Sequence, residues 1–326
     1  MSATAGYKLF TPLTLGKNLV LKNRVIMAPM TRARADTRTR EANETNEIYY
    51  EQRAGAGLII SEATAIATVA LYTESHAGAW KKVVDRVHAK NGKIFAQLCH
   101  MGRQSHSSFN GKKEVVAPSA IAVPSGQIRD SQANHAPHEM PRALEAHEIP
   151  GIVDDFRKSA ALAKKAGFDG VEVHGGNGYL VDTFLQSSTN HRTDQYGGSV
   201  ENRSRILLEI IDAVKNEWSS DHIGVRLAPN GAYAGMGSSD NFEQFTYTAA
   251  QLDKHDIGYI AILGSIGFGY HDKGRLVTAF DIKKNFSGTV IANNSYTRDI
   301  AEGAVHSGAA DAVSFGRLRT VFLGFV

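Results

Sequence analysis

One short stretch combines residue types that can act together on a carbonyl compound. In His174-Gly175-Gly176-Asn177-Gly178-Tyr179 an imidazole and a carboxamide stand three residues apart, just beyond an apolar run. Both can donate a hydrogen bond to one carbonyl oxygen, and the phenol of Tyr179 can supply a proton as a general acid. The three glycines read equally well as an ordinary helix-start turn with incidental polar residues. A second stretch suggests phosphate binding. The sequence Asn293-Asn294-Ser295-Tyr296-Thr297 leads into a helix-like pattern, and Ser314-Phe315-Gly316-Arg317 joins a glycine for close backbone approach to a cation. The alternative there is a capped helix and a surface arginine. No acid dyad, Cys–His pair or Ser–His–Asp spacing stands out. His100, His106 and His174 lack the spacing of metal ligands. The Gly-Gly-Asn-Gly string lacks the G-x-G-x-x-G spacing of a dinucleotide site.

These residues need elements to hold them. Eight short apolar runs occur at Val25–Ala28, Gly57–Ser61, Lys93–Leu98, Gly170–His174, Gly224–Leu227, Tyr259–Leu263, Thr289–Ala292 and Ala312–Phe315. Runs apolar on both faces fit buried parallel strands. Helix-like patterns alternate with them at Thr45–Ala54, Trp80–Lys90, Ile149–Lys165, Glu201–Trp218, Phe242–Lys254 and Arg298–His306. Such alternation implies a parallel sheet, and eight repeats favour a closed (β/α)8 TIM barrel over an open doubly wound sheet. Residues 8–22 read as a hairpin turning at Gly16-Lys17-Asn18, placed to close the barrel floor. Residues 100–146 form a long polar connection that would lie over the active face as a lid. No domain boundary interrupts residues 1–326, so a single domain is expected.

In such barrels chemistry sits at the carboxyl ends of the strands. That singles out Met30-Thr31, Glu62-Ala63-Thr64, Gln97 with His100, the His174–Tyr179 stretch, Arg226, Asn293–Ser295 and Gly316-Arg317. Composition narrows the partners. The net charge is only +3, with 13 histidines counted neutral, so nothing asks for nucleic acid or an anionic membrane. The one cysteine, Cys99, excludes an intramolecular disulfide. No apolar run has the length of a membrane span or a signal peptide, which points to a cytoplasmic protein.

Several collinear stretches resemble the old yellow enzyme family of FMN-dependent ene-reductases. They include LFTPLTLGKNLVLKNRVIMAPMTR, the HGGNGYL string and RTDQYGGSVENR, and together span about 300 residues. The resemblance implies bound, non-covalent FMN, with NADPH as reductant. It also implies a small-molecule α,β-unsaturated carbonyl or nitro substrate, reduced in two half-reactions at one site. Carried over residue by residue, it places Pro29, Met30 and Thr31 along the flavin and Ala63 where backbone approaches the ring. Gln97 would pair with the pyrimidine edge, and Arg226 would supply charge near it. Asn294, Ser295, Gly316 and Arg317 would form the phosphate cradle. His174 and Asn177 would hold the substrate carbonyl, and Tyr179 would donate the proton.

The sequence also departs from the family. The stretch Ala67–Ala79 is shorter than usual, Cys99 replaces a common aromatic, and Leu318–Val326 stands where an eighth helix is expected. A missing final helix would leave apolar surface on the eighth strand and invite instability or homo-oligomer formation. Two competing readings follow. One is a cofactor-free barrel isomerase or aldolase, which would need a lysine or paired carboxylates at strand ends. The other is a truncated flavin-binding protein without turnover.

Overall fold

In the computed structural model, which describes residues 6–66, 71–111, 114–264, 269–293 and 295–316, eight parallel strands close into a barrel. They are β1 (Val25–Met27), β2 (Leu58–Ala65), β3 (Ile94–Cys99), β4 (Gly170–Gly175), β5 (Ile223–Leu227), β6 (Tyr259–Leu263), β7 (Thr289–Asn293) and β8 (Ala312–Phe315). Closure comes from β8 pairing with β1, where Val313 lies opposite Val25 and Phe315 opposite Met27. Seven helices follow the strands in turn among the described residues: α1 (Glu44–Glu51), α2 (Glu74–Ala89), α3 (Ile149–Lys165), α4 (Val200–Lys215), α5 (Asn241–Lys254), α6 (Ala279–Lys283) and α7 (Arg298–His306). A further short helix, Leu180–Leu185, sits between β4 and α4. Every predicted apolar run is a strand, and all six predicted helices form. Among the described residues no helix is long and apolar enough to cross a membrane.

Strand alternation separates two cores. Outward-facing Val171, Val173, Val225, Leu227, Ile260 and Ile262 join the helices in the outer core. Inward-facing Leu58, Ile60, Phe95, Tyr259, Ala261, Ile291 and Ala312 fill the barrel. The predicted hairpin is present: Leu13–Leu15 pairs antiparallel with Leu19–Leu21. Its Leu15, Leu19 and Leu21 pack into the inner core and plug the amino-terminal end of the barrel. Two glycines make room for the interior rings. A Cβ on Gly170 would lie 2.4 Å from the Phe95 ring, and one on Gly224 would lie 2.1 Å from the Tyr259 ring. Both are far inside contact distance, so no side chain fits there.

The connection 100–146 is tied down. Gln127–Arg129 pairs with His135–Pro137 as a small hairpin, and Val116–Ala117 pairs with Arg142–Ala143. Arg103, 1% exposed, donates to the carbonyls of Ile121 (3.1 Å), Ala122 (3.2 Å) and Ala234 (2.6 Å). One buried guanidinium thus fastens the lid to the loop after β5.

The expected apolar exposure on the eighth strand is not seen. Val313 and Phe315 are buried. They share a core with Leu9, Val25, Ala301 and Val305, contributed by the N-terminal turn, β1 and α7. The N-terminal turn and α7 thus supply apolar cover that a strand-by-helix count overlooks. The expected absence of a final helix falls on residues 317–326, which lie outside the described residues. So does part of the shortened stretch, residues 67–70.

Candidate active site

Above the apolar floor the barrel interior turns polar. Gln97 and Glu172 are register neighbours on β3 and β4, as are His174 and Arg226 on β4 and β5. Gln97 Nε2 donates to Glu172 Oε1 at 2.7 Å, and Tyr259 Oη donates to Glu172 Oε2 at 2.9 Å. Arg226 Nη2 donates to Asn293 Oδ1 at 2.7 Å, and Asn293 Nδ2 donates to the Ser314 carbonyl at 2.8 Å. The polar layer is thus two hydrogen-bonded sets, one across β3, β4 and β6 and one across β5, β7 and β8, which the charges of Glu172 and Arg226 couple.

Burial strains every charge in that layer. It raises the Glu172 carboxyl, against the pull of Arg226 and two donors. It lowers the Arg226 guanidinium, with Glu172 opposing. His174 is pushed down to about 3, first by burial and then by the Arg226 charge. Its imidazole is neutral at physiological pH, with one N–H and one lone pair. His174 Nδ1 is buried and has no hydrogen-bond partner among the described residues. An unpaired buried polar atom costs about 1–3 kcal/mol, so its retention points to a ligand.

The turn beyond β4 sets the other two residues of the predicted triad. Asn177 and Gly178 both adopt left-handed backbone, at φ 57° and 76°. That reversal brings Tyr179 back over the strand, with its ring centroid 5.3 Å from that of His174. Burial raises the Tyr179 phenol well above its usual range, and Cys99 and Tyr233 add to the effect.

Bulged strand β2 contributes Ala63. The pairing of β2 with β3 slips between Ile60 and Ala63, which brings Ala63 opposite Gln97. Within the bulge Glu62 accepts from the Arg32 amide (2.9 Å) and from Asn46 Nδ2 (3.2 Å). Glu62 thereby anchors the segment that carries half-buried Pro29 and Met30 and exposed Thr31. A Cβ on Gly316 would meet Met30 Sδ at 3.4 Å, so the ends of β1 and β8 converge. Ser295 lies in left-handed backbone just after β7, at φ 58°. Asn294 and Arg317 lie outside the described residues.

Pro29, Met30, Ala63, Gln97, His174, Arg226, Ser295 and Gly316 thus all lie at the carboxyl ends of the strands, as predicted. Sequence reasoning missed the interior roles of Glu172 and Tyr259, and the supporting residues Arg103, Gln104 and Asp182. Glu172 carried a signal: it is a lone carboxylate in an apolar run, two residues before His174 and therefore on the same face. A cavity of 810 Å3 lies elsewhere, between the lid and α3. Its charges are self-satisfied: Arg142 pairs with Glu148 and Glu114, and Lys158 with Asp154. At the mouth of the barrel, among the described residues, the buried polar atom left without a partner is His174 Nδ1.

Residues 8–321 match the model of the NADH:flavin oxidoreductase / NADH oxidase family. The chain belongs to this family, and within it to the old yellow enzyme group. It is 41% identical to the old yellow enzyme homologue from Zymomonas mobilis, covering 95% of this chain and 88% of that one, with a TM-score of 0.90. Morphinone reductase gives 39% identity, coverage of 97% and 87%, and a TM-score of 0.88. Among sequences, 12-oxophytodienoate reductase 2 of Arabidopsis thaliana is 36% identical, covering 95% of this chain and 84% of its own length. The protein is therefore an FMN-dependent oxidoreductase. The mouth fits that cofactor. A buried cation, a buried carboxamide and an unpartnered imidazole nitrogen ring it, and Ser295, in left-handed backbone, and Gly316 follow the last two strands.

Proposed function

We propose that the protein is a one-domain ene-reductase that reduces the activated C=C bond of α,β-unsaturated carbonyl or nitro compounds. NADPH and the alkene take turns at one site. The observation that carries this reading is the neutral, buried, unpartnered His174 beside the ring of Tyr179. FMN, when bound, would supply the hydride chemistry that connects the nicotinamide to the alkene.

His174 and Asn177 donate to the carbonyl or nitro oxygen. Negative charge grows on that oxygen as the β-carbon is reduced, so donors aimed there favour the transition state. Tyr179 delivers a proton to the α-carbon. Its raised phenol keeps that proton through the physiological range. Arg226 would hold the flavin with a fixed positive charge and Gln97 with a carboxamide, and Pro29, Met30, Thr31 and Ala63 would line it. Asn294, Ser295, Gly316 and Arg317 bind the phosphate through backbone amides and charge.

Anaerobic titration with NADPH tests this. The purified yellow protein should bleach, and 2-cyclohexenone should restore its colour. A protein that does not bleach is a flavin binder without turnover.

A further inference from the structure

The turn carrying Asn177 and Tyr179 is closed by one long backbone bond, from the Tyr179 amide to the Gly176 carbonyl at 3.3 Å, across two residues in left-handed backbone. Two side chains brace it further. Gln104 Nε2 donates to the Asn177 carbonyl at 2.5 Å, and the Gly178 amide donates to Asp182 Oδ2 at 2.8 Å.

Asp182 is fully buried. Its second oxygen, Oδ1, accepts from Gln186 Nε2 at 2.9 Å. The orientation of Gln186 is fixed in turn, because its Oε1 accepts from the Gly237 amide (2.7 Å) and from Asn241 Nδ2 (3.2 Å). Both oxygens at position 182 therefore face donors. An ionised carboxylate satisfies both; a protonated one must turn its hydroxyl toward one of them and lose that contact.

We propose that ionised Asp182 is the positioning residue that sets the Asn177–Gly178 turn, so that alkene reduction switches on as Asp182 loses its proton. This rests on the ene-reductase reading above. A carboxylate serving only to cap the short helix Leu180–Leu185 would need one acceptor and could sit at the surface. Asp182 is instead buried, doubly engaged, and linked directly to the residue that precedes Tyr179.

The groups around Asp182 put the switch near neutrality. Burial pushes its carboxyl up to about 7, and the two donors and Arg103 pull the other way. Arg103, from the start of the lid, is the charged group facing it among the described residues. From the far side His271 reaches it only through Asn241 and Gln186. His100 and His174 are held down at about 4 and about 3, and the Tyr179 phenol is pushed up, so none of these titrates in the same window. Glu172, also raised by burial, is the rival source of such a limb.

The test is single-turnover reduction of 2-cyclohexenone by pre-reduced holoenzyme across the range from acid to mildly alkaline pH. In the wild type the rate should fall about tenfold from about pH 8 to about pH 6, following the ionised fraction of Asp182. Asp182→Asn should retain FMN and its circular dichroism, react at a low rate, and show no pH dependence over that range. A flat wild-type profile overturns the inference and needs no variant. A limb that persists in Asp182→Asn overturns it too, and assigns the proton to Glu172 or another group. Absence of alkene reduction at every pH in the wild type is a different failure: it overturns the ene-reductase reading and this inference with it.

Discussion

The interior of the barrel has two halves built on opposite terms. Toward the amino ends of the strands, Leu15, Leu19, Leu21, Leu58, Phe95 and Ala312 form an apolar layer complete in itself. Toward the carboxyl ends, Gln97, Glu172, His174, Arg226 and Asn293 form a polar layer that is hydrogen-bonded in part. In the upper layer burial pushes Glu172, His174 and Arg226 each toward its neutral form. Desolvating charged groups costs more than their mutual contacts return, unless a ligand supplies the rest. The lower half therefore contributes stability, and the upper half gives some of it up for chemistry.

Substitutions that touch one half only should separate the two contributions. The largest effect is expected in the upper layer. Changing His174 and Asn177 together to Ala should slow alkene reduction by about 10⁴-fold, at about 10² per donor. Flavin reduction by NADPH should suffer less, and the thermal midpoint should hold or rise. Stopped-flow measurement of each half-reaction checks this; equal slowing of both would mean that the pair does not act on the alkene oxygen.

Next in size is Tyr179→Phe. It removes the proton donor and leaves the ring packing beside His174. Enone reduction should fall by about 10²–10⁴-fold, the usual range for general acid catalysis. Nitroalkenes should be spared at the hydride step, since a nitronate can leave unprotonated. Wild-type enone turnover in this variant would remove Tyr179 from the mechanism.

The smallest kinetic effect belongs to the floor. Leu21→Ala should cost about 2–5 kcal/mol of stability in urea unfolding, from lost burial and a residual cavity. Rate constants measured well below its melting temperature should match the wild type. A loss of activity at full occupancy would show that the two halves are mechanically coupled.

Much of this division was legible in the sequence because strand periodicity is local. The eight apolar runs correspond to eight strands, and the residues just past them mark the mouth. The elements overlooked are those with no periodicity to read. Helix Leu180–Leu185 is six residues long and buried on every side, so it shows no polar face. Helix α6 has only five residues. The small lid hairpin is polar or half-exposed along its length. The polar layer was hidden for another reason. Glu172, Tyr259 and Asn293 sit on different strands, and only barrel closure brings them together. Asp182 and Gln104 are 78 positions apart from each other in the numbering, yet both hold one turn. Glu62 was placed near the site by its position, but its task of anchoring the β1 loop depends on a bulge that no pattern announces.

The N-terminal turn bears on how the protein is made. Glu302 of α7 accepts from the amides of Lys8 (3.0 Å) and Leu9 (2.8 Å), and Tyr7 donates to Asp299 (2.9 Å). Residues 7–9 are therefore held by residues synthesised 292–294 positions later, and β1 waits for β8. At roughly 10 residues per second on the ribosome, that wait is about half a minute. Throughout it β1 has β2 on one side and an open edge on the other, and the floor leucines have no finished barrel to plug. The proposed phosphate loops follow β7 and β8, so they too emerge only after the first six strands. Cofactor loading would then coincide with barrel closure, and a nascent chain stalled before β8 would be both colourless and prone to pair its open edge with a neighbour.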